Sequence, residues 1–85
     1  MLVAEEMRTR LEEALSPTRL EIIDESERHR GHAGYQEGGQ SHFRVKIASA
    51  SFSDMTRIAR HRAVHEALGP ELVGRIHALA IEIDA

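Results

Sequence analysis

The sequence predicts a small α+β domain with helices on one face of a three-stranded mixed sheet. Three observations carry that reading. Apolar residues recur at helical spacing near the start of the chain and again between residues 55 and 68. Residues 41–49 and 77–83 instead alternate apolar with polar, as strands do when one face is buried and the other wet. The order α-β-β-α-α-β offers three strands, too few for helices to cover both sides of the sheet.

The elements follow in order. Leu2, Val3, Met7, Leu11, Ala14 and Leu15 lie three or four residues apart and share one helical stripe. Glu6 and Arg10 stand four apart in the favourable order for an exposed pair. Ser16-Pro17 ends this helix, because the residue before a proline is pushed away from helical angles. Leu20 to Asp24 (LEIID) is short, β-branched and bounded by polar residues, which predicts a strand. Glu25 to Gln40 has no apolar periodicity and four glycines, so a long loop is expected. Loops of that length inside a compact domain are uncommon and are often functional.

In Ser41 to Ser49, Phe43, Val45 and Ile47 point one way, while His42, Arg44 and Lys46 point the other. A helix is expected from about Met55 to Leu68, capped by Ser53 or Asp54. Gly69-Pro70 stops it, and Pro70 suits the first turn of a new short helix, PELVGRI. His77 to Ile83 forms the last strand, with Leu79, Ile81 and Ile83 inward. The two early strands are expected to pair antiparallel across the long loop. The last returns after a helical crossover, which favours a right-handed parallel neighbour. No internal repeat is visible, and residues 1–85 read as one domain.

Composition narrows the function classes. With 41% hydrophobic and 29% charged residues the chain is an ordinary globular one, and its size limits the core. Tyr35, Phe43 and Phe52 are its three aromatic residues, so the core rests on Leu, Ile, Val and Ala. A formal charge of −3 gives no global reason to expect nucleic-acid binding, although six histidines add positive charge as pH falls. The absence of cysteine excludes disulfides and any thiolate metal site made by this chain alone. No apolar run approaches the roughly 20 residues of a membrane helix. The opening MLVAEEMRTRL is acidic where a secretory signal would be basic. A cytoplasmic protein with no membrane association is expected.

The histidines are the conspicuous chemistry. His61 falls in the helical stripe Ile58, His61, Val64 and Leu68, which predicts a packed, hydrogen-bonded core residue. His61 and His65 have the spacing of a zinc-protease helix, but Arg62, Ala63 and Val64 lie between them and supply no glutamate base. His42 reads as an exposed strand residue. His29 and His32 lie in the glycine-rich loop, which can fold over the end of the sheet near His77. Two imidazoles gathered there are an incomplete zinc site, since zinc takes three or four protein ligands. They suit half of a site shared with another protein. A second reading is a nucleic-acid surface, with Arg57, Arg60 and Arg62 on the long helix and Arg44 and Lys46 on the open sheet face. Gly31-His32-Ala33-Gly34 matches a K-homology GxxG loop in letters, but it lies between strands rather than between helices. Between the helices stands LGPEL, a poor loop for phosphate.

Several motifs together resemble the BolA family over essentially the whole chain: ALSP (Ala14–Pro17), DES (Asp24–Ser26), SHFRV (Ser41–Val45), RHRAVHEAL (Arg60–Leu68) and IHALAI (Ile76–Ile81). The resemblance implies a K-homology-like (class II) fold with the element order derived above. The family divides by a cysteine or a histidine in the strand-connecting loop, and this chain is similar to the histidine type. The resemblance further implies a non-enzymatic partner of monothiol glutaredoxins that shares a 2Fe-2S cluster, in iron–sulfur trafficking or iron regulation. The glutaredoxin and a glutathione would supply thiolates. This chain would supply His77 and a loop histidine, His29 or the competing His32, and would hold no cluster when isolated. A monomer or weak homodimer is expected for the chain alone. The family also includes DNA-binding regulators, which makes DNA the alternative partner, and a cluster-free complex that masks the glutaredoxin surface is a third reading. Asp54 stands where the family usually has glycine.

Overall fold

The computed structural model describes residues 2–25 and 42–84. The expected loop, except for Glu25, lies outside the described residues, and with it His29, His32 and the Gly31–Gly34 sequence. The elements are α1 (Val3–Leu15), β1 (Arg19–Asp24), β2 (His42–Ala48), α2 (Arg57–Leu68), α3 (Pro70–Gly74) and β3 (Ala78–Asp84), with a 3₁₀ turn at Ala50–Phe52. The sheet order is β1-β2-β3, antiparallel between β1 and β2 and parallel between β2 and β3, as expected.

β2 is the central strand, and its alternation builds the core. In register, Leu20, Ile47 and Ile83 form one row across the sheet, and Ile22, Val45 and Ile81 form the next. Phe43, Val45 and Ile47 are buried against Met7, Leu11 and Leu15 of α1, Val64 and Leu68 of α2, and Leu72 of α3. Phe52 is fully buried with them. Its 3₁₀ turn moves the helix start: α2 begins at Arg57, with Thr56 rather than Ser53 or Asp54 as cap. The Thr56 hydroxyl accepts from the Ala59 amide at 3.1 Å. The turn is itself tied to α2, because Arg60 Nε donates to the Phe52 and Met55 carbonyls, both at 3.0 Å.

Polar ties close the helix ends. Ser16 takes left-handed angles (φ 43°, ψ 58°) and its amide donates to the Glu12 carbonyl, so α1 stops where the following proline requires. Buried Ser49 then reaches back from the end of β2: its hydroxyl donates to the Leu15 carbonyl at 2.6 Å and accepts from the Ser51 amide at 3.1 Å. α2 ends at Gly69, whose φ of +86° suits only glycine. A Cβ there would meet Arg10 Nη1 at 3.2 Å, and that same nitrogen donates to the Leu68 carbonyl at the helix end. Arg75 pairs with Glu6 of α1 and with Glu71 of α3.

Ser49→Ala is expected to lower stability by about 1–3 kcal/mol, since it leaves the Leu15 carbonyl buried without its donor. Urea unfolding of the variant beside wild type measures this. The hydrogen bond from Arg75, then the charges of Arg75 and Arg10, hold the Glu6 carboxyl below the usual carboxylate range. A lowered folded pKa contributes stability above the unfolded value of about 4.3 and loses it as pH falls through the folded value. The stability gap between wild type and Glu6→Gln should therefore be present near neutrality and close in acid. Urea midpoints taken across that range check it.

Candidate functional site

The site is built at one end of the sheet, where β2 begins. α3 ends at Gly74, Arg75 turns the chain, and buried Ile76 anchors it, its amide donating to the Val73 carbonyl at 3.3 Å. His77 follows as an exposed residue in the bend before β3, which begins at Ala78, one position later than the expected strand start at His77. Ala78 then stands opposite His42 in the parallel register. The His42 and His77 rings come together, with centroids 5.0 Å apart and planes tilted by 51°.

This corrects the expectation for His42. Alternation places it on the open face, but only 4% of its surface is exposed. At the first residue of β2 that face is closed in part by the His77 ring itself. The Glu25 amide donates to the His42 carbonyl at 2.7 Å, beyond the last β1 pair. Glu25 and His42, the described residues on either side of positions 26–41, are thereby joined at this end of the sheet. Sequence reasoning missed the His42–His77 pairing. Its signal was present: SHF and IHAL both set a histidine at the entry to an apolar alternation, and parallel strands align such entries.

The chain has no cysteine, and among the described residues no group of three or more His, Cys, Asp or Glu is placed to hold a metal ion. An exposed imidazole with a second histidine ring beside it fits a contribution to a shared centre, not a complete one.

The basic candidates separate into committed and available cations. Arg44 is committed. It pairs with Glu25 and Glu82, both at 3.0 Å, and the hydrogen bond it donates to Glu25 first, then the one it donates to Glu82, raises its pKa. Lys46 stands between Glu21 and Glu82 in register. On the open sheet face Arg44 is thus paired and Lys46 is flanked in register by carboxylates. Arg60 is occupied with backbone carbonyls. Arg57 and Arg62 are exposed and have no ion-pair partner among the described residues.

His61 also departs from expectation, being half-buried at the helix flank rather than packed in the core. The buried face of α2 centres on Val64 and Leu68, with Ala63 and Ala67 packed beside them. At 100° per residue His61 lies about 60° and Ile58 about 120° from Val64, so the stripe rotates out of the core toward the N-terminus. Ile58 is 63% exposed. It lines a shallow depression of about 400 Å³ with Arg57, His61, Arg62, His65 and Glu66.

The fold has known counterparts. The pattern of the family described as BolA-like protein matches residues 11–85. The chain belongs to the BolA family. It is 50% identical over 76 residues to BolA-like protein 1 of Mus musculus, covering 89% of this chain but 53% of that protein. The chain thus spans about half the length of that relative. It is 35% identical over 80 residues to the DNA-binding transcriptional regulator BolA of Vibrio cholerae, covering 94% of this chain and 72% of that one. The solved structure of BolA1 from Arabidopsis thaliana superposes with a TM-score of 0.79 at 41% identity, covering 95% of this chain and 88% of that one.

The two site histidines should differ sharply in structural cost. His77→Ala, at an exposed bend, is expected to change stability by no more than about 0.5 kcal/mol. His42→Ala, which empties a buried position, should cost about 1–3 kcal/mol. Urea unfolding of the two variants tests the ordering.

Proposed function

We propose that this chain is a non-enzymatic partner of monothiol glutaredoxins that shares a 2Fe-2S cluster with the partner's cysteine and a glutathione, in iron–sulfur trafficking or iron regulation. One observation supports the reading above all: exposed His77 stands beside His42, at the sheet end where His42 is joined to Glu25. His29 is four residues beyond Glu25, within about 14 Å of it along an extended chain, and His32 is three residues further. Either loop histidine is therefore tethered within reach of His77. The chain would hold two coordination positions with His77 and His29 or His32, and the thiolates would come from the other side of the interface. Bound there, the cluster supplies one-electron chemistry at a potential raised by neutral imidazole donors. The histidines must be deprotonated to ligate, so the shared centre should be lost in acid.

A second reading, a DNA-binding regulator, draws on Arg57 and Arg62 and on the name of the Vibrio cholerae relative. It draws little on Arg44, Arg60 or Lys46, whose surroundings already occupy or balance them.

Anaerobic cluster reconstitution with a monothiol glutaredoxin and glutathione tests the first reading by visible absorption and circular dichroism. A spectrum distinct from that of glutaredoxin alone is expected, abolished by His77→Ala and by one of His29→Ala or His32→Ala. Identical spectra from wild type and all three variants would sink the ligand assignment. Salt-dependent binding to duplex DNA then becomes the decisive measurement, with Arg57→Ala and Arg62→Ala each reducing the salt slope by about one.

A further inference from the structure

We infer that His42 is a positioning residue for His77, its buried ring setting the orientation of the exposed imidazole. The inference rests on the reading of His77 as a ligand to a shared centre and adds a residue to that site. His77 lies in a bend, outside helix and strand, with its side chain in solvent. The backbone around it is already held: Ile76 is buried before it, and Ala78 is paired with β2 after it. What remains free is the rotation of the ring. An exposed side chain hops between rotamers in picoseconds to nanoseconds, and stilling it on binding weakens the complex.

His42 removes part of that freedom. Its centroid lies 5.0 Å from that of His77 in a tilted arrangement, inside the 4.5–7 Å range typical of ring pairs. The His42 ring is itself fixed, by its place in the central strand and by burial that leaves 4% of its surface exposed. No buried side-chain nitrogen or oxygen among the described residues lacks a hydrogen-bond partner. A ring held in this way is a rigid wall for a mobile one. Its burial also argues against a ligand's role for His42, because little of the ring is presented to a docking protein. Groups that orient a ligand without touching the metal typically change affinity by about 10- to 100-fold.

Two variants and two readouts test the assignment. His42→Phe keeps the ring and removes both nitrogens; His42→Ala removes the wall. In the isolated chain, 13C relaxation of the His77 ring reports its order without any cluster. Order is expected to match wild type in His42→Phe and to fall in His42→Ala. In the glutaredoxin complex, His42→Phe should keep the wild-type circular dichroism, and His42→Ala should keep its shape but lose the cluster about tenfold faster. Unchanged His77 order in His42→Ala would overturn the assignment. So would loss of the cluster spectrum in His42→Phe with His77 still ordered, since His42 would then be a ligand itself. If His42→Ala does not fold, His42→Phe decides alone, by keeping or losing both the ring order and the spectrum. If wild type forms no shared cluster, the functional reading fails, while the ring-order measurement still decides the positioning role.

Discussion

The register of β2 against its two neighbours is the constraint on which the rest of the molecule depends. A slip of one residue would turn Phe43, Val45 and Ile47 from the helices to solvent, because side chains alternate along a strand. The same register sets His42 opposite Ala78, and so brings the His77 ring alongside. Core and candidate site are two outcomes of one pairing. The strand that buries Phe43, Val45 and Ile47 also begins at the end of the sheet that carries the candidate site.

With only three aromatic residues, the domain gains definition from polar ties at helix ends. Ser49 joins the end of β2 to the last carbonyl of α1, and Arg10 joins α1 to the last carbonyl of α2. Arg60 holds the Phe52 turn against the start of α2. Each tie satisfies a carbonyl that a helix end or turn would leave open. They also explain why Arg60, which looks like part of a basic surface in sequence, is committed to backbone carbonyls. Counting cations along a helix overstates what a phosphate backbone would meet.

The surface that remains is differentiated. The open sheet face is balanced by Glu21, Glu25 and Glu82, while Arg57 and Arg62 border an exposed isoleucine on the outer flank of α2. The histidine end lies elsewhere, at the junction of β2 with the turn after α3. The domain therefore carries two chemically distinct surfaces. The BolA family, which includes a relative named as a DNA-binding regulator, is consistent with more than one use of this fold.

The order of elements, the α+β class, the antiparallel and parallel pairings and the family followed from the sequence by itself. Alternation in SHFRV and IHALAI, the Ser16-Pro17 stop and the Gly69-Pro70 break are local signals, and local chemistry enforces them. Only the tertiary structure decided what depends on distant partners. It buried His42 against His77, 35 residues later, where alternation alone had exposed it. It turned His61 and Ile58 out of the core, because a 3.6-residue period drifts relative to a fixed three- and four-residue spacing. It assigned Arg44 to two carboxylates on two other segments, which no spacing along one strand can reveal. Periodicity specifies which face a residue shares with its neighbours in sequence; what that face meets is settled when the strands and helices assemble.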